Sequence, residues 1–119
     1  MKVVINKCFG GFSLSDLAFE KLLKKKGVAF VRAEDEAVNF NSNYYEVGHK
    51  GEENYFISQY DYYENRSDPD LIAVVEELQE KANGWAAELA IVDVPDEVKW
   101  HIHEYDGLEH IAEDHRTWS

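Results

Sequence analysis

The chain has 119 residues, of which 24 are acidic and 12 are basic, and its formal net charge is −12. This length is typical of one domain, and 45% apolar residues suffice for a hydrophobic core. No apolar run approaches the roughly 20 residues that span a bilayer, and the N-terminus lacks the apolar stretch of a signal peptide. We therefore expect one cytoplasmic domain over residues 1–119, with no membrane contact and no direct duplex nucleic-acid binding, which depends on cation–phosphate attraction.

The charge is divided unevenly along the chain. Residues 1–32 contain seven basic and two acidic side chains, a net charge of +5, whereas residues 33–119 contain five basic and 22 acidic ones, a net charge of −17. Such an asymmetry concerns surface fields and partners rather than the fold. It is typical of a solvated surface, but it also allows a local anion site near the N-terminus.

The N-terminal segment predicts a strand, a glycine loop, a helix and a second strand. Lys2–Asn6 contains consecutive β-branched residues and suits a strand buried on both faces. The loop Lys7–Ser13 follows, and a helix capped by Ser13 or Ser15 begins after it. Three lysines and Gly27 end this helix, and residues 28–31 form the next strand.

The middle of the chain predicts a hairpin and a second helix. Residues 44–47 and 55–60 suit two strands, although a long ordered surface loop over residues 33–65 remains an alternative. Alternation would place Tyr60, Tyr62 and Glu64 on one strand face. The second helix begins with Asp68 as its cap and Pro69 in its first turn, and it ends at residues 83–84.

The C-terminal part predicts strands. Residues 89–94 form one strand, and residues 98–105 form another, with Trp100 and Ile102 on one face. Asp106-Gly107 is a tight-turn dipeptide, so residues 108–113 return as a hairpin strand, with a short helix as the alternative. The fold class is therefore α+β: a single domain with a mixed β-sheet, two main helices packed on it and a C-terminal hairpin.

An anion site is the first functional hypothesis for this sequence. Amide groups at a helix start attract anions, and glycines let a ligand approach the backbone. A few basic residues and aromatic rings would complete the site. The candidate ligand-binding residues are Lys7, Phe9, Gly10, Gly11, Phe12, Ser13, Arg66, Arg116 and Trp118. The alternatives are a simple tight turn at the glycines and, for Arg66 and Asp68, helix capping with a local ion pair.

Metal binding and catalysis find less support in the sequence. His101, His103 and His110 could approach one another across the C-terminal turn, but no further ligand spacing accompanies them, and an exposed polar strand face explains them as well. Cys8 lies beside the glycine loop without a histidine near it in sequence, so a buried, unreactive thiol is the better interpretation. We expect no metal, no cofactor and no enzymatic activity.

Three segments of the chain resemble a family of small uncharacterised proteins encoded by bacteriophages and prophages. The matching motifs are Cys8-Phe9-Gly10-Gly11-Phe12 with Leu14-Ser15, Arg66 with Asp68-Pro69, Tyr105-Asp106-Gly107 and His115-Arg116-Thr117-Trp118. The resemblance covers nearly the whole chain outside roughly residues 30–60. It implies no activity. It does imply a phage genome, in which small acidic proteins commonly act on the host and often counter its defences.

Two functions of different classes follow. In the first, the protein sequesters a small anionic, nucleotide-derived ligand at the glycine loop and so counters host defence. In the second, its acidic surface imitates nucleic acid and occupies a basic surface of a host protein. A homo-oligomer is compatible with either, because small domains often build sites at subunit interfaces.

Overall fold

The structure is a computed structural model that describes residues 1–38, 41–47 and 55–113, and it confirms the α+β class. The N-terminal elements are β1 (Lys2–Asn6), α1 (Asp16–Lys25), β2 (Phe30–Val38) and β3 (Asn41–Glu46). They are followed by β4 (Tyr55–Ile57), α2 (Tyr60–Tyr63), α3 (Pro69–Leu78) and a 3₁₀ helix (Gln79–Ala82). The chain then continues through β5 (Leu89–Asp93), β6 (Trp100–Tyr105) and β7 (Leu108–Glu113).

The described strands form three sheets, not the single mixed sheet that the sequence predicts. β1 pairs with β5, β2–β3–β4 form a meander, and β6 pairs with β7, and all of these pairings are antiparallel. The prediction missed this division because strand spacing along the chain does not state which strands pair. The predicted hairpins over β3–β4 and β6–β7 are confirmed, and the first of them extends back to β2.

Strand β1 lies between two hydrophobic clusters, as its consecutive β-branched residues predict. Val4 faces a large cluster built from α1, α3 and the meander, in which Phe19, Leu22 and Leu71 are buried. Its neighbours on the opposite face join a smaller cluster against the C-terminal hairpin. Trp100, Ile102 and Ile111 pack on that second cluster, so the predicted face of β6 is confirmed. A five-residue strand therefore joins the helices to the hairpin.

The two main helices begin at the predicted caps. The Ser15 hydroxyl accepts a hydrogen bond from the Ala18 amide, and the Asp68 carboxylate accepts one from the Asp70 amide, with Pro69 in the first turn. Helix α3 ends earlier than predicted, because Gln79 adopts a φ of 52° and turns the chain into the 3₁₀ helix.

Residues 60–63 form a short helix, so the predicted strand face of Tyr60, Tyr62 and Glu64 is wrong. The Tyr62 and Tyr63 amides both donate to the Gln59 carbonyl. The helical step sends neighbouring rings in different directions: Tyr62 packs on Phe19, while Tyr63 packs elsewhere. Because both rings are thereby partly buried, packing overrides the strand preference of tyrosine.

The unequal charges of the two chain segments pair with each other on the surface of the fold. Lys2 pairs with Glu76 at 3.1 Å and Lys21 pairs with Glu77 at 2.9 Å. Lys26 lies 2.6 Å from the Asp68 carboxylate, whose hydrogen bond raises the pKa of the lysine. Part of the N-terminal positive charge is thus neutralised by α3, and less of it is available to an external anion than the sequence suggests.

Candidate functional site

The glycine loop packs against the turn of the C-terminal hairpin. Gly107 has a φ of 90°, and a Cβ at this position would overlap the Gly11 amide nitrogen and the Phe9 carbonyl. A Cβ at Gly10 would likewise overlap the Ala86 carbonyl oxygen. These approaches explain why glycine is needed in both turns without any ligand. The loop is a contact between distant backbone segments, and it is separated from the first turn of α1 by residues 12–15.

Polar groups between this loop and α1 bond to the protein itself. The Ser13 hydroxyl donates to the Trp85 carbonyl at 3.4 Å, and the Leu14 amide donates to the Gln59 side chain at 3.2 Å. The Ser15 hydroxyl caps α1 and donates to the Lys81 carbonyl at 2.6 Å. These donors therefore hold the loop in place instead of pointing at an open anion site.

Arg66 is the charged centre of the loop region. Its guanidinium makes a two-pronged contact with the Glu109 carboxylate, at 2.6 Å and 2.9 Å. Its Nε donates to the Tyr63 carbonyl at 2.9 Å. The guanidinium also lies over the Phe12 ring, with 3.8 Å between its central carbon and the ring centroid. The predicted ion-pair role of Arg66 is thus present, but the partner is a residue 43 positions away and not a local one.

Glu109 joins the hairpin to β1. Only 7% of it is exposed, and one of its oxygens accepts a hydrogen bond from the Asn6 amide at 2.8 Å. The Asn6 side chain donates to the Gly107 carbonyl and accepts from the Glu88 amide. Asn6 and Glu109 are therefore buried polar groups whose hydrogen bonds are satisfied, and they fix the position of the hairpin turn.

An open cleft of about 410 Å³ lies beside this network. It is lined by Gly11, Phe12, Tyr60, Tyr63, Glu64, Arg66, Ile102, Glu104, Gly107 and Glu109. Burial raises the pKa of Tyr63, while Arg66 lowers it and Glu109 raises it further, so this phenol stays protonated at neutral pH. The lining of the cleft thus combines three aromatic rings with three carboxylates and one guanidinium.

The structure gathers only some of the predicted ligand-binding residues. Gly11, Phe12 and Arg66 line the cleft. Lys7 and Phe9 are exposed outside its lining, and the glycine and serine contacts described above account for Gly10 and Ser13. Arg116 and Trp118 lie outside the described residues.

Sequence reasoning missed the acidic half of this site. Glu109 lies two residues before Ile111 and so shares its strand face, which packs on the core. A carboxylate on the apolar face of a strand signals a buried partner, and Arg66 is the basic residue that reaches it. Glu104 lies two residues after Ile102 and directly opposite Glu109 in the hairpin, so the same strand periodicity pointed to it. Glu64 carried no such signal, because it is one carboxylate among many in an acid-rich sequence.

The histidines and the cysteine do not form a metal cluster in the described part of the chain. His103 and His110 face each other across the C-terminal hairpin, with ring centroids 4.8 Å apart. No group of three or more histidine, cysteine, aspartate or glutamate side chains suitable for a metal occurs among the described residues. Cys8 is a half-buried free thiol.

Comparisons with protein-family models, curated proteins and solved structures return no match for this chain. The resemblance to phage-encoded proteins therefore stays a prediction, and function must be argued from the geometry itself. Within the described ranges, no helix is both long enough and apolar enough to cross a membrane.

Proposed function

We propose that this protein is a non-enzymatic binding protein that uses its acidic surface to occupy a basic surface of another protein. The observation that carries this proposal is the charge of its clefts. The cleft described above has three carboxylates and one guanidinium in its lining. A second cleft, between α3 and β5, is lined by Glu76, Glu80 and Glu88 and by no basic residue of the described structure.

The surface beyond these clefts is also negatively charged. Several carboxylates of residues 55–113 have no ion pair within the described part of the chain: Asp61, Glu64, Glu80, Glu88, Asp93, Glu97, Glu104, Asp106 and Glu113. Negative potential of this extent attracts basic surfaces and speeds their association. A protein with a basic nucleic-acid-binding groove is the partner class that fits this negative surface, and the resemblance to phage proteins implies that the partner belongs to the host.

Sequestration of a small anion is the second candidate, because Gly11, Phe12 and Arg66 do meet in one cleft. In this function, the ligand has to replace Glu109 as the partner of Arg66. Thermal shift with nucleotides and inorganic phosphate tests it. Stabilisation by a nucleotide, abolished in Arg66→Lys, would favour this candidate over the first.

Affinity capture tests the first proposal. The full chain, immobilised on beads, is incubated with bacterial lysate at low and at high salt, and bound proteins are then challenged with duplex DNA. We expect one or a few proteins to be retained at low salt and to be released both by salt and by DNA. Salt screens the attraction between the two surfaces, and duplex DNA competes with this chain for the same basic surface. Retention that survives salt and DNA, or no specific retention at low salt, would refute the proposal.

A further inference from the structure

The cleft beside the glycine loop has an excess of negative charge at its open side. The Arg66 guanidinium is already neutralised by the two-pronged contact with Glu109. Glu64 and Glu104 are exposed members of the same lining, and no ion pair within the described residues neutralises them. An occupant of this cleft therefore meets two carboxylates that are not matched by a cation.

An exposed aromatic ring faces the same cleft. Tyr60 is 56% exposed, and its ring packs edge-on against Tyr63, with 5.7 Å between the centroids. Tyr63 in turn contacts Phe12, over whose ring the Arg66 guanidinium lies. This wall thus already binds one guanidinium between a ring and a carboxylate, while Tyr60 offers a second ring that is not covered.

We propose that this cleft binds an arginine side chain of the partner protein, with its guanidinium stacked on Tyr60 and hydrogen-bonded to Glu64 and Glu104. The inference rests on the proposed function and names the residue type that is recognised. Arginine fits this lining because a planar guanidinium stacks on an aromatic ring and presents several N–H donors to carboxylates at once. Glu104 already accepts a hydrogen bond from the Gly107 amide, but one neutral amide does not balance its charge, so an anionic or purely apolar occupant would leave both glutamates without a cation.

The test is an NMR titration of the full chain with a blocked Gly-Arg-Gly peptide, and with the same peptide carrying citrulline in place of arginine. Citrulline has nearly the same shape but no charge, so it separates stacking from charge recognition. We expect saturable shifts of the Gly11, Phe12 and Gly107 amides with the arginine peptide, and at least about tenfold weaker binding of the citrulline peptide.

Two double variants with equal net charge provide the control. Glu64→Gln with Glu104→Gln is expected to weaken the arginine peptide about tenfold, whereas Asp93→Asn with Glu97→Gln, both exposed and outside the cleft lining, is expected to leave the affinity within about twofold. Equal weakening by both pairs, equal binding of the two peptides, or shifts confined to other residues would overturn the inference.

The capture experiment distinguishes this inference from the function on which it rests. If the glutamine double variant retains the salt- and DNA-sensitive partner as well as the unmodified chain does, the cleft assignment fails and the acidic-surface function stands. If the arginine peptide binds at the cleft but no such partner is retained, the site stands and the proposed function fails.

Discussion

Replacing Arg66 with alanine is expected to destabilise the domain more than any exposed charge substitution. The substitution removes the partner of Glu109, which is 7% exposed and cannot move into solvent without displacing the hairpin. It also removes the hydrogen bond to the Tyr63 carbonyl and the stacking on Phe12. The Asn6 amide remains as a donor to Glu109, but one amide does not balance a buried carboxylate.

Arg66→Ala is expected to lower the free energy of unfolding by about 3–5 kcal/mol, because breaking a buried ion pair leaves an uncompensated charge. That is a large part of the roughly 5–15 kcal/mol by which domains of this size are stable. With a urea dependence of about 1–3 kcal/mol per molar, the unfolding midpoint should fall by about 2 M.

Urea unfolding followed by circular dichroism measures this effect, with Arg66→Leu/Glu109→Leu as the matched control. Because the double variant leaves no charge in the interior, it should be more stable than Arg66→Ala. Should Arg66→Ala unfold too readily for measurement, Arg66→Lys, which keeps the charge but loses the two-pronged geometry, should show a smaller cost. A cost below about 1 kcal/mol for Arg66→Ala, or a double variant less stable than the single one, would refute this account of the pair.

Three further predictions concern stability. Gly107→Ala should lower the free energy of unfolding by at least about 2 kcal/mol, because the added Cβ would overlap the N-terminal loop. Gly27→Ala is the control: its surroundings are open and its φ is 72°, so it should lower the free energy of unfolding by only about 1 kcal/mol. Equal losses of stability in thermal unfolding would contradict the packing argument. Asp68→Ala should lower the free energy of unfolding by about 1–2 kcal/mol, because it removes the α3 cap and the partner of Lys26. Asp68→Asn keeps the cap and should lower it by less than about 1 kcal/mol, a difference that denaturant midpoints measure. Burial raises the pKa of Tyr44 above its usual value of 10.0, so its contribution to stability is complete below pH 10.0 and is lost as the pH rises further. Tyr44→Phe should therefore lessen the alkaline loss of stability by up to about 1.4 kcal/mol per pH unit, and identical pH profiles for the two proteins would rule this out.

Local sequence patterns account for the elements whose causes lie within a few residues. A capping side chain and an apolar repeat define each main helix, Pro69 adds to the start of α3, and Asp106-Gly107 defines the C-terminal turn. Three consecutive β-branched residues likewise indicated a strand buried on both faces. These predictions succeeded because caps, turns and periodic faces depend on neighbours along the chain.

The way in which these elements pack together depends on contacts between segments that are distant in sequence. The pairing of Arg66 with Glu109, the approach of Gly107 to Gly11, and the division of the strands into three sheets all join segments far apart in sequence. The predicted anion site is instead a cleft lined mainly by carboxylates, because Glu109 of the hairpin is buried against Arg66 and neutralises it. Local patterns state which residues are charged, but which charges neutralise each other depends on the distances that the fold creates.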